Sequence, residues 1–371
     1  MEGLRGFAVF LVFLVHFVTL AEPWISGNRK LLVFAYSLHT IGNTGVDLFF
    51  VLSGYLIYGS LISRRQQFMR FMSRRVERIY PAFGAVFLAY VVLSFAFPAE
   101  SKIPQSPVDG TIYLVQNFLL LPGLFPIEPM ITVAWSLSYE MFYYLTIPLV
   151  IAALGLRERN SAWRTTLFLG VAGATAIYCA ASTGPVRLIM FISGMVLFEA
   201  MSSPRVRAPT SFAGLAALIA GLLGTLLPVA GSIGATLKVC ILFVAFFTLC
   251  FACFRHSSGW LSRCFSWTPL RWLGNMSYSY YLLHGLALKA AFLALSKLLP
   301  AAGYGPWFFW VLLPPMFFLT LFPTAALFLL VERPFSLSPR RRKTPAPEVA
   351  LQESPGTSVT PDTPQAARRL P

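Results

Sequence analysis

Two ionisable side chains stand out in LRGFAVFLVFLVHF, residues 4–17, where the guanidinium of Arg5 and the imidazole of His16 are separated by ten apolar or glycine residues. On a helix, eleven steps of about 100° return to within about 20° of the start, so both side chains share a face. The rise between them is about 16 Å, roughly half of a bilayer core about 30 Å thick. With Arg5 at a membrane surface, His16 lies near mid-membrane, where an ionisable group is costly and marks function. A histidine oriented by a carboxylate takes a proton from a hydroxyl near neutral pH. The competing interpretation of His16 is a polar side chain hydrogen-bonded between helices.

The elements that must position these groups are membrane helices. The 371 residues are 57% apolar and only 12% charged, whereas soluble domains carry roughly 25% charged residues. The predicted fold is therefore all-α and polytopic. Its expected spans are 5–21, 43–62, 79–97, 134–154, 166–182, 187–201, 212–227, 236–254, 273–298 and 307–331. With the N-terminus in the cytoplasm, Arg29, Lys30, Lys102, Arg187, Lys238, Lys289 and Lys297 fall outside or in outer halves of spans, and the other 22 of the 29 Lys and Arg lie inside. This asymmetry predicts ten spans with both termini cytoplasmic. The net charge of +15 is thus a topology signal, and no aromatic-basic motif points to nucleic acid. The first span also has features of a cleaved leader, against which stand Glu2, His16 and the lack of an A-x-A site before Glu22.

Two stretches outside the spans are informative. The proline-rich outer loop 98–133 is too long for a connector and is expected to fold over the outer mouth. On the inner side Arg70, Arg74 and Arg78 recur every four residues, with Arg75 beside them, so a helix there carries a basic stripe. A membrane domain over 1–335 gives way at 336–371 to a Pro/Ser/Thr-rich tail, expected to be disordered, whose RRRK lies against the anionic leaflet. The five cysteines form no paired framework and are expected to be reduced. CxxC at 250–253 lacks a second pair, so no metal is expected.

Counting depth from predicted surfaces brings several polar groups to one slab. His16 and Glu140 each lie about six residues below the outer ends of their spans, Asp47 is slightly nearer the outside, and Ser53 and His284 lie near the midplane. Such a constellation suits acyl transfer to a hydroxyl. Each member has a plainer interpretation: Asp47 as a helix N-terminal charge, Glu140 as an interhelix partner, Ser53 as a packing residue, His284 as a satisfied core histidine. Arg5, Arg75 and Arg78 either mark topology and touch lipid phosphates or grip the phosphates of a soluble donor. A donor with inner-side phosphates and a long arm, the geometry of coenzyme A, would deliver its reactive end to His16.

Five motifs in order, GLRGFAVFLVFLVH, GNTGVDLFFVLSGYLI, RRVERIYP, WSLSYEMFYY and LGNMSYSYYLLH, resemble the membrane-bound acyltransferase family 3 over residues 2 to about 332. The resemblance implies ten helices that carry an acyl group, usually acetyl, from cytoplasmic acyl-coenzyme A to a hydroxyl of a carbohydrate or glycolipid in the cell envelope. It implies a place in the bacterial inner membrane. By position, His16 is the essential histidine and general base, Arg5 its motif partner, and Arg75 and Arg78 the donor's arginine pair. Asp47 and Glu140 match acidic positions, and one of them is expected to orient His16 as its catalytic partner; Ser53, His284 and Tyr278 are a candidate second polar cluster. The alternative from another class is a transporter of an anionic lipid-linked sugar or small metabolite; the lack of a repeat between halves weighs against it.

Overall fold

A computed structural model describes residues 1–300 and 304–337. In chain order its helices are α1 (Glu2–Ile25), α2 (Arg29–Gly42), α3 (Thr44–Ser63), α4 (Phe68–Ala96), α5 (Pro107–Phe118), α6 (Trp135–Ala153) and α7 (Ser161–Ala181). Then follow α8 (Ile189–Ser202), α9 (Ser211–Gly224), α10 (Gly231–Arg255), α11 (Trp260–Phe265), α12 (Thr268–Asn275), α13 (Ser277–Leu298) and α14 (Trp307–Leu327), which runs on as a wide-turn helix over Phe328–Leu337. Side chains of Asn28, Asn160 and Thr210 accept hydrogen bonds from the backbone two or three residues into α2, α7 and α9, fixing where each begins.

The protein is an all-α polytopic membrane protein. Among the described residues, eight helical segments are long and apolar enough to cross a bilayer, with α2 and α3 counted as one segment over Arg29–Ser63. The spans expected at 187–201 and 212–227 correspond to α8 and α9, of 14 residues each, about 21 Å and short of a full apolar core. The predicted basic segment before the third span is helical and continuous with it. Nothing between Phe68 and Tyr80 breaks a helix, so α4 carries its arginine stripe directly into the apolar region. The tail from Ser338 onward lies outside the described residues.

Helix α1 is the central strut. Leu4, Ala8 and Val12 pack into one apolar cluster with α3, α4, α6, α8 and α10, while Phe13, Phe17 and Ala21 join a second with α13 and α14. Helices α3 and α8 cross at glycine: a Cβ on Gly54 would lie 2.0 Å from the Phe191 carbonyl oxygen, and one on Gly194 2.0 Å from that of Val51. Small residues at such crossings let backbones approach where lipid gives little hydrophobic drive for association. All five cysteines are free thiols.

The 98–133 loop contains α5 and is stitched internally by Asn117, whose Oδ1 accepts from the Met130 amide at 2.7 Å. Two exposed ion pairs hold it further: Lys102 with Glu128 at 2.9 Å, and Glu100 with Lys289 of α13 at 2.5 Å. Hydrogen bonding and the charge of Lys289 hold the Glu100 carboxyl below its usual range.

Candidate active site

Gly6 brings α1 against α12; a Cβ there would sit 2.0 Å from the Leu270 carbonyl oxygen. That close approach carries Arg5 inward, where its Nε donates to Ser277 Oγ at 3.1 Å. Arg5 lines a cavity of about 110 Å³ together with Arg75 and Arg78 of α4, Ser53 of α3, Glu140 and Tyr144 of α6, and Tyr278 and Tyr281 of α13. The three guanidinia differ in how they are held. Arg78 pairs at 2.9 Å with Glu332, a fully buried carboxylate in the wide-turn helix. The second oxygen of Glu332 accepts from the amide and hydroxyl of Ser279 at 3.1 and 2.6 Å. Arg75 lies over the rings of Phe71 and Tyr144, 5.2 and 5.1 Å from their centroids. Among the described residues neither Arg5 nor Arg75 forms an ion pair. Two positive charges thus face the cavity without a bonded counter-charge, an arrangement that suits phosphate.

Glu140 faces the same space. Its Oε1 accepts from the Tyr144 hydroxyl at 2.5 Å and from Ser53 at 3.4 Å, and it lies within electrostatic reach of Arg5. Tyr278 donates to the Ile79 carbonyl at 2.8 Å and lies beneath Arg78.

His16 meets another histidine. Its ring lies edge-on to that of His284, centroids 4.9 Å apart with a 68° interplanar angle. His284 is fully buried, stacked on Tyr280 at 5.2 Å, and 2.8 Å from the Tyr280 carbonyl through Nδ1. A carbonyl only accepts, so Nδ1 carries the proton and Nε2 holds a lone pair. That Nε2 has no hydrogen-bond partner among the described residues. Neither Glu140 nor Asp47, the two carboxylates expected to orient His16, hydrogen-bonds to it; each is engaged elsewhere. Asp47, fully buried in the first turn of α3, faces Arg187 at 3.7 Å, and Arg187 lies over Trp135.

Tyr281 joins these groups. It lines the guanidinium cavity, its hydroxyl lies 2.7 Å from Ser136 Oγ, and its ring centroid is 6.3 Å from that of His284. It is also within electrostatic reach of Asp47, Arg187 and Glu140. Of the expected site residues, Arg5, Arg75, Arg78, Glu140, Ser53 and Tyr278 therefore surround one cavity, His16 and His284 form a pair beside it, and Asp47 lies with Arg187. Glu332, Arg187, Tyr144 and Tyr281 join these residues without having been expected among them. Tyr144 and Tyr281 carried a local signal, each about one helical turn from a named site residue, Glu140 and His284. Among the described residues no cluster of three or more His, Cys, Asp or Glu could hold a metal ion.

The model of one protein family, described as an acyltransferase domain, matches residues 1–330. The peptidoglycan O-acetyltransferase OatA of Listeria monocytogenes is 28% identical over 319 residues, 76% of this chain and 48% of that protein. The O-acetyltransferase OatA of Staphylococcus aureus is 34% identical over 183 residues, 46% of this chain and 27% of its own. The acyltransferase MdmB of Streptomyces mycarofaciens is 34% identical over 155 residues, 40% of this chain and 38% of its own. The chain spans about half the length, or less, of these relatives. No solved structure matches it significantly.

Proposed function

This chain belongs to acyltransferase family 3, and we propose that it moves a short acyl group from acyl-coenzyme A, bound from the cytoplasm, to a hydroxyl of a bacterial envelope glycan. The observation that carries this reading is the pair of guanidinia, Arg5 and Arg75, facing one cavity with no ion-pair partner among the described residues. They bind the donor's phosphates, while Arg78, braced by Glu332, shapes the wall between them. Glu140 supplies a counter-charge opposite Arg5, held in place by Tyr144 and Ser53.

His16 acts as general base. The acceptor hydroxyl loses its proton to His16 as its oxygen bonds to the thioester carbonyl carbon; the C–S bond then breaks, and the proton leaves with the coenzyme A thiol. His284, its tautomer fixed by the Tyr280 carbonyl, keeps the neighbouring imidazole free of a competing proton. The O-acetyltransferase names of the relatives support acetyl as the group and a cell-wall glycan as the acceptor class, and the multi-pass fold supports the inner membrane as the site.

The direct test incubates purified full-length protein with acetyl-labelled acetyl-coenzyme A and solubilised envelope glycan. Label on the glycan with equimolar free coenzyme A supports the reading. Donor consumption without labelled glycan, or no consumption, overturns it.

A further inference from the structure

We infer that Asp47 and Arg187 form the subsite for a hydroxyl of the acceptor, across Tyr281 from the guanidinium cavity; the inference rests on the acyl-transfer reading above. The starting observation is an unmet valence. Asp47 is fully buried, yet neither carboxylate oxygen accepts a hydrogen bond among the described residues. Its nearest cation, Arg187 Nε, stands 3.7 Å away, too far for a direct hydrogen bond. Buried carboxylates ordinarily satisfy their oxygens, because leaving one bare costs a large desolvation penalty. The first turn of a helix favours negative charge but supplies no donor here.

The pair's chemistry selects its ligand. A carboxylate that needs a donor stands beside a guanidinium with hydrogens to give, and a hydroxyl satisfies both at once by donating to Asp47 and accepting from Arg187. An anion would meet repulsion from Asp47, and a cation from Arg187. A polyhydroxylated acceptor therefore fits, and the charged donor does not. Arg187 is also the member free to move: it stands on a short turn, Val186–Leu188, between α7 and α8, and its side chain keeps 30% of its exposure while Asp47 keeps none. That turn lies on the side expected to face outward. Arg187 thus covers Asp47 on the side expected to face outward, and a small movement of its side chain lets an incoming hydroxyl sit between the two, donating to Asp47 and accepting from Arg187.

Position supports the assignment. Tyr281, within electrostatic reach of both residues, is packed near His284 on one face and walls the donor cavity on another. A hydroxyl bound at Asp47 approaches from the side opposite the donor's phosphates.

The experiment uses the full chain with acetyl-coenzyme A fixed and solubilised envelope glycan graded in concentration, comparing wild type with Arg187→Ala, Arg187→Lys and Asp47→Asn. Expected is an apparent KM for glycan raised about tenfold or more in Arg187→Ala, from loss of one charged hydrogen bond, with partial rescue in Arg187→Lys. Acetyl-coenzyme A affinity stays at the wild-type value in all three. An unchanged glycan KM in a folded Arg187→Ala protein overturns the inference and returns the pair to a structural ion pair, even if its melting temperature falls. A wild-type protein that labels no glycan overturns the acyl-transfer reading itself, whatever the variants do.

Discussion

The imidazoles of His16 and His284 meet edge to face, 4.9 Å between centroids, with the Nδ1 proton of His284 committed to the Tyr280 carbonyl. The two rings come from α1 and α13, helices that meet where the two apolar clusters adjoin, so their separation is set by packing on both sides. His16→Ala is expected to lower turnover by roughly 10²- to 10⁴-fold, the usual contribution of a positioned base. Coenzyme A affinity should not change. Single-turnover label transfer beside equilibrium donor binding separates the two, and full transfer by His16→Ala would remove this residue from the chemistry.

The donor arginines should separate by mutation. Arg75→Ala removes an uncompensated guanidinium and is expected to weaken acetyl-coenzyme A binding about ten- to a hundredfold with little change in melting temperature. The weakened binding should be less sensitive to salt than that of the wild type, since one phosphate contact is gone. Titration calorimetry at two ionic strengths measures both.

Glu332→Gln should act on stability first. It leaves Arg78 beside a neutral amide, and because Arg78 is a quarter exposed the cost is expected near roughly 2 to 3 kcal/mol, below that of a wholly buried pair. Thermal unfolding in detergent checks this. Arg78→Ala should be at least as destabilising, since it strands a fully buried carboxylate.

Glu140→Gln distinguishes a counter-charge from a merely structural partner. The amide oxygen still accepts from Tyr144, so folding should be preserved, while the field at Arg5 becomes more positive. Donor affinity is expected to hold or tighten as turnover falls. Weaker donor binding would mean that Glu140 organises the cavity in another way.

Gly54→Val tests the α3–α8 crossing. The added atoms would enter the space of the Phe191 carbonyl, and a cost of about 3 kcal/mol or more is expected, at the upper end of overpacking. The yield of folded protein reads it out.

Much of the helix layout was legible because hydropathy alone dictates it: α3, expected at 43–62, runs from Thr44 to Ser63, and α6, expected at 134–154, from Trp135 to Ala153. Helix α2 was not, since its amphipathic sequence, opening on Arg29 and Lys30, sits in a connection where neighbouring helices decide the conformation. The arginine cavity was half legible. Spacing put Arg5 and the α4 stripe at one surface, but Glu332 lies 254 residues from Arg78 and at the end of an apolar run, where a charge marks a span boundary as readily as a partner. Arg187 is hidden in the same way: one arginine in an outer connection has no local sign that it covers Asp47. The depth count set Glu140 level with His16, yet depth says nothing of rotation about a helix axis, and Glu140 is turned toward the arginines.

The 98–133 loop is fastened in two ways that answer differently to the surroundings. Asn117 ties the loop to itself through a sheltered amide, whereas Glu100–Lys289 and Lys102–Glu128 are held by charges open to the medium. A carboxyl held below its usual range keeps its tie throughout neutral pH and lets go only as pH falls through its lowered folded value; salt weakens the same tie at any pH. Lys289 sits on the helix that bears Tyr281 and His284, so salt and acid acting on this loop reach one wall of the guanidinium cavity through a single ammonium group.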